Sequence, residues 1–169
     1  MKGLIQAQQS PEGRDDITPE TVKEGIQIPD EFKEAYERLV AAGMTIMFSE
    51  KTNKSAVQMM KSGEGTTAQR LGQAIAALLG MLVKESNGTF PPQVLIPAGV
   101  ELLAQAADFL RKSGLEAINN QVIGDAMDVM ITTVLQAGKL DVQKIAGFIE
   151  QNQAGAGGAM LQQPPMMGA

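Results

Sequence analysis

Hydrophobic residues recur three and four positions apart over most of the chain, the period of a helix buried along one face. Phe32, Tyr36, Leu39, Val40, Gly43 and Met47 form one such row between Asp30 and Ser49, and Glu31, Lys33, Glu34, Glu37 and Arg38 take the other side. Asp30 is in place to cap this helix, and Gly43 within the row marks a close approach by a neighbour. Ahead of it, Thr18-Pro19-Glu20 reads as a helix start: Thr caps and Pro suits the first helical position. That helix is short, ending near Gly25, and Ile26 to Pro29 is an extended connection. A shorter segment, Thr52 to Lys61, carries Val57, Met59 and Met60 and ends at the joint Ser62-Gly63-Glu64-Gly65.

Thr66 to Lys84 gives the clearest helical pattern. Thr66 and Gln69 have capping-box spacing. Leu71, Ile75, Leu78, Leu79 and Leu82 supply bulk, while Ala68, Gly72, Ala76 and Gly80 form a small-residue stripe. Such a stripe lets another backbone come close, as a tight helix pair within the chain or as a helix contact in a membrane. If the stripe is an interface, Gly72→Leu and Gly80→Leu are expected to disrupt its close packing. Residues Glu85 to Thr89 close this helix.

Phe90-Pro91-Pro92 and Ile96-Pro97 then frame a stiff loop around Gln93, Val94 and Leu95, which either packs over the core or serves as a docking element. Pro97 is read as the start of a helix reaching Lys112, buried through Val100, Leu103, Ala104, Ala107 and Leu110, with Leu102 and Phe109 widening that side. Ser113-Gly114 breaks it. The next helix spans Leu115 to Gln136, with Ile118, Val122, Ala126, Val129, Met130 and Thr133 on one face and Gly138 as its stop. The short join predicts a hairpin of these two helices. Asp141 caps a last helix to about Gln151, with Val142, Ile145, Ala146 and Ile149 as its apolar face.

The pattern predicts an all-α fold, a compact bundle of about five to six helices. Residues 1–29 form an N-terminal arm with a short helix, 30–152 the helical domain, and 153–169 a flexible Gly/Met/Pro-rich arm. Composition agrees. Hydrophobic residues are 44% of the 169, but aromatic residues only 4%, so Leu, Ile, Val, Ala and Met must build the core. The 11 Met residues serve as core filler or as an adaptable contact surface.

Charge and chemistry mostly exclude functions. The net charge of -5, from 14 basic and 19 acidic residues, opposes specific nucleic-acid binding, which needs clustered Lys and Arg. Lys51, Lys54, Lys61 and Arg70 read as solvated surface. The chain has no Cys and no His. That excludes disulfides, the usual zinc sites and every triad built on imidazole or thiolate. Carboxylates remain: Asp125 with Asp128 one turn apart, Asp15-Asp16, and Glu101 with Asp108, which lack the Glu-x-x-His pair of a di-iron site. An oxygen-ligand metalloenzyme is the remaining catalytic alternative, and neither catalysis nor a cofactor is expected. No phosphate-binding glycine string occurs. Leu71 to Val83, the longest apolar stretch, falls short of the roughly 20 residues a bilayer span needs. It reads as a buried helix, with entry into a membrane during a special event as the alternative.

What remains is assembly. The start Met-Lys-Gly-Leu-Ile-Gln-Ala-Gln-Gln, the Ala/Gly/Leu helix at Thr66 to Val83, and the end Gln-Gln-Pro-Pro-Met-Met-Gly-Ala give the chain its character. In these features it resembles small virion proteins of tailed bacteriophages, from the head, the head–tail junction or the ejected internal set. The resemblance transfers no functional residue. It implies a virion component made in the host bacterial cytoplasm, a homo-oligomer, and partners such as portal, capsid or tail subunits. Ala68, Gly72, Ala76 and Gly80, with Met160, Leu161, Met166 and Met167 of the C-terminal arm, are the candidate interface. A helical adaptor or scaffolding-like factor is the alternative, with a membrane-active ejection protein as a third reading.

Overall fold

The computed structural model describes residues 16–54, 58, 63–114 and 118–138. These form an all-α bundle: α1 Pro19–Gly25, α2 Asp30–Met47, α3 Thr67–Glu85, α4 Pro92–Ser113 and α5 Asn120–Gly138, with a further helical stretch at 50–54. No strand occurs among the described residues. The expected helix from Asp141, the C-terminal arm, residues 1–15 and most of 55–62 lie outside them.

Local chemistry sets most of the helix ends. Thr18 caps α1 in a reciprocal box with Thr21. Thr66 does the same for α3 with Gln69: the Gln69 amide donates to Thr66 Oγ1 at 3.2 Å, and the Thr66 amide donates to Gln69 Oε1 at 2.9 Å. The end of α3 is a Schellman turn. Asn87, in the left-handed region at φ 53°, donates its amide to Lys84 O, and the Gly88 amide reaches back to Val83 O.

Three boundaries differ from the sequence reading. Pro29, not Asp30, is the N-cap of α2; Asp30 is its first helical residue and pairs with Lys33 on the surface. Helix α5 begins at Asn120 rather than near Leu115. Asn119 there accepts from the Val122 amide at 2.9 Å, a side-chain cap that ends the preceding loop. The largest correction concerns α4. Gln93, Val94 and Leu95 are not a loop but its first turn, and Pro97 lies inside the helix. Pro92 at the helix start loses nothing by lacking an amide hydrogen. Pro97 removes one bond to the carbonyl of Gln93, an exposed residue. Burial of Val94, Leu95, Ile96 and Ala98 outweighs this local penalty. Three buried aliphatic side chains contribute about 1.5–3 kcal/mol each, against about 3 kcal/mol for an interior proline.

Helix α4 is the hub. It packs against α1, α2, α3 and α5, while α3 and α5 make the most extensive pairing in the bundle. The expected α4–α5 hairpin is therefore only a part of the arrangement: the two helices touch, but α5 lies chiefly along α3. Glycines let the axes close in. A Cβ at Gly99 of α4 would lie 2.6 Å from Met130 Sδ of α5 and 2.8 Å from Leu79 Cδ1 of α3. At Gly43 of α2 it would lie 2.6 Å from Leu102 Cδ1 of α4.

Residues 16–29, grouped by sequence with the arm, lie against this body. Ile17, Ile26 and Ile28 pack on the core and Pro19 is buried. Arg111 of α4 ties them down, donating to Ile17 O at 3.1 Å, Ile118 O at 2.8 Å and Asn120 Oδ1 at 3.2 Å.

The small-residue stripe of α3 divides in two. A Cβ at Gly72 would meet the Ala126 carbonyl oxygen at 2.4 Å and Val129 Cβ at 2.8 Å, whereas one at Gly80 meets nothing within 4 Å. Within the chain, therefore, only Gly72 meets an obstacle to enlargement. Gly72→Ala is expected to lose about 1–3 kcal/mol, since backbone cannot yield as a side-chain tip does. Gly80→Ala should gain about 0.5–1 kcal/mol from helix propensity. Urea unfolding followed by circular dichroism reads both.

Candidate functional site

The candidate interface residues do not form one surface. Ala68, Gly72 and Ala76 are buried within the chain, turned toward the core that α3 shares with α4 and α5. They are unavailable to a partner while the bundle is intact. Gly80 is exposed beside Met81, which is 44% exposed, and Ala77 is exposed one turn earlier. Met160, Leu161, Met166 and Met167 lie outside the described residues. What α3 offers to the outside is therefore a face beside the predicted one that shares only Gly80 with it: Gln73, Ala77, Gly80, Met81 and Lys84. No residue from Leu71 to Val83 carries a charge.

The candidate carboxylates are scattered. Asp125 accepts from Gln121 Nε2 at 2.8 Å along the exposed side of α5, and Asp128 is exposed beyond it. Asp108 pairs with Lys112 at 2.7 Å on the surface of α4. Asp16 accepts from Asn120 Nδ2 at 3.4 Å. No group of three or more His, Cys, Asp or Glu is placed to hold a metal among the described residues. Arg70 is spent on the turn before α3, donating to Gly65 O at 2.7 Å and Gly63 O at 3.2 Å. Lys51 and Lys54 are exposed, and Lys61 lies outside the described residues.

Glu101 is the exception. It is 5% exposed in the middle of α4, the only buried charged residue among those described. The Tyr36 hydroxyl of α2 donates to its Oε2. Burial first, then the hydrogen bond to Glu101 and its field, raises the Tyr36 phenol well above the ordinary value, so the hydroxyl stays protonated and keeps donating. Sequence reading placed Tyr36 on the buried face of α2 but set Glu101 aside as half of an absent metal site. The signal was present: Glu101 is the only charged residue between Pro92 and Ala107. A lone acid in an apolar helix needs a donor. The pair is buried and reads as a lock between α2 and α4. Nearby, Phe48 and Phe109 meet edge to face at 5.7 Å between centroids, joining the same two helices near the far end of α2.

The one described helix long and apolar enough to cross a bilayer is α4, not the Leu71 to Val83 segment, and 67% of its apolar window is buried inside the protein. Comparison with protein-family models, with curated proteins and with solved structures finds no match.

Tyr36→Phe removes the donor from a buried carboxyl group and is expected to cost about 1–3 kcal/mol. The pH dependence has a definite sign. The folded chain holds Tyr36 protonated above the ordinary value of 10.0, whereas the unfolded chain ionises it there. The contribution is therefore constant below about pH 10 and lost as the pH rises further. With one Tyr and no Trp in the chain, absorbance at the tyrosinate band reports this residue alone. It should titrate late and together with unfolding.

Proposed function

We propose that the chain is a non-enzymatic structural component of a tailed-phage virion, assembling through an exposed helix face and its terminal arms. The observation that carries the assembly part is the outer face of α3. The inner face of α3 is covered by α4 and α5, while Ala77, Gly80 and Met81 stand exposed on the outside, between Gln73 and the exposed Lys84 of the last turn. The flat Ala/Gly relief with one Met suits another helix laid across it. The virion part rests on the resemblance of the chain ends and of this helix. On this reading the partners are further copies of the chain and subunits of the portal, capsid or tail, and the protein is made in the bacterial cytoplasm. A helical adaptor or scaffolding-like factor would use the same face but leave the finished particle.

The mass of the purified chain in solution over a concentration series tests the assembly reading. A discrete oligomer is expected, and Met81→Lys should shift it toward monomer without lowering the melting temperature. A chain that stays monomeric at every concentration would remove self-assembly through α3. In purified particles, a fixed copy number supports the component, and absence supports the adaptor.

A further inference from the structure

In the turn that closes α3, Asn87 is followed by Gly88, and nowhere else in the chain does glycine follow asparagine. Asn53, Asn119, Asn120 and Asn152 precede Lys, Asn or Gln, and no Asp precedes a Gly. An asparagine side-chain amide is a slow electrophile toward the backbone nitrogen of the next residue. Glycine in that next position has no side chain to obstruct the approach. Both Asn87 and Gly88 are exposed, and even a Cβ added at Gly88 would meet nothing within 4 Å. Neighbouring side chains therefore do not shield the pair. The turn itself does. With Asn87 at φ 53° and Gly88 at φ 71°, the Gly88 amide donates its hydrogen to Val83 O at 2.9 Å. That nitrogen is the nucleophile, and the hydrogen bond retains the proton it must lose before it attacks. We infer that Asn87 is a deamidation site, kept latent by the Schellman turn of α3 and released when that turn opens. Helix ends open locally at far lower cost than the whole fold.

The reaction needs only water. The deprotonated Gly88 nitrogen forms a bond to Asn87 Cγ, the Cγ–Nδ2 bond breaks, and ammonia leaves with the proton. The product is a five-membered imide. Water then opens one of its two carbon–nitrogen bonds. Opening at Cγ gives aspartate on the original backbone; opening at the main-chain carbonyl gives isoaspartate, in which the backbone runs through Cγ and is one methylene longer. Aspartate is tolerated in the left-handed region, but its charge faces the negative end of the α3 dipole. Isoaspartate shifts the Gly88 amide away from Val83 O, so the turn that held the site closed does not reform. Val83 and Phe90, on either side of the turn, pack against the core, and a longer link between them disturbs that packing. Loss of ammonia makes the change run one way. This inference does not rest on the assembly reading, and it fails or stands separately from it.

The test ages the full-length chain at mildly alkaline pH beside a synthetic peptide of residues 84–92 in the same buffer. Peptide mapping by mass spectrometry, with chromatographic separation of the aspartyl and isoaspartyl products, follows each asparagine. Asn87 is expected to convert before the other asparagines, and about tenfold or more slowly in the folded chain than in the peptide. Urea below the unfolding transition should raise its conversion and the hydrogen exchange of the Gly88 amide in step. The aged chain should melt at a lower temperature, whereas Asn87→Gly, which keeps a residue favoured at this position of the turn, should melt the same before and after ageing. A folded-chain rate equal to or above that of the peptide overturns the gating by the turn. A peptide that stays unconverted, or another asparagine reacting first, overturns the site. An isoaspartyl chain that keeps its melting temperature overturns the loss of the turn.

Discussion

The contact at Gly99 governs the arrangement of the bundle. It is the point where α4 has no side chain and where Leu79 of α3 and Met130 of α5 come within van der Waals reach of its backbone. Interiors pack at crystal-like density, so a missing side chain on one helix must be filled by long side chains from its neighbours. Leu79 and Met130 do so and are almost completely buried. Gly72 against Ala126 repeats the device between α3 and α5, and Gly43 against Leu102 between α2 and α4. With few aromatic residues to fill space, the chain gains its packing by bringing helix axes together.

That closeness explains the one polar element in the interior. Glu101 sits on α4 among Val94, Ala98, Leu102 and other buried apolar residues. Taking a carboxyl group out of water is costly unless it is hydrogen-bonded. Tyr36 meets this need because Leu39 and Gly43, on the same face of α2, seat that helix against α4. The pair adds direction to an attachment that is otherwise apolar. A slide of α2 along α4 would leave Glu101 without its donor, so the register is held by a cost that hydrophobic contact alone would not impose. At the other end of α4, Arg111 uses three donors on Ile17, Ile118 and Asn120. One guanidinium thereby joins the chain's entry, the α4–α5 connection and the start of α5.

These inward devices leave the outer side of α3 uncommitted among the described residues. Met81 is 44% exposed there, beside Ala77 and Gly80 and one turn before Lys84. The relief is flat because two of these positions carry no more than a methyl group.

The sequence by itself determined the helical class, the apolar faces of α2 and α3, and the caps at Thr18 and Thr66. Each of these depends on residues within one or two turns of one another, where spacing alone says which groups can meet. Tertiary structure decided the rest. Pro97 marks a boundary by local rules, yet it lies inside α4 because Val94, Leu95 and Ile96 find a core to enter. Gly72 and Gly80 are equivalent in the stripe, yet one meets a backbone oxygen of α5 and the other meets solvent, since a neighbour touches a helix over only part of its length. Glu101 was visible as a lone acid, but its donor lies 65 positions away on α2. Periodicity names the face a residue is on; only the packed arrangement of helices names what stands opposite it.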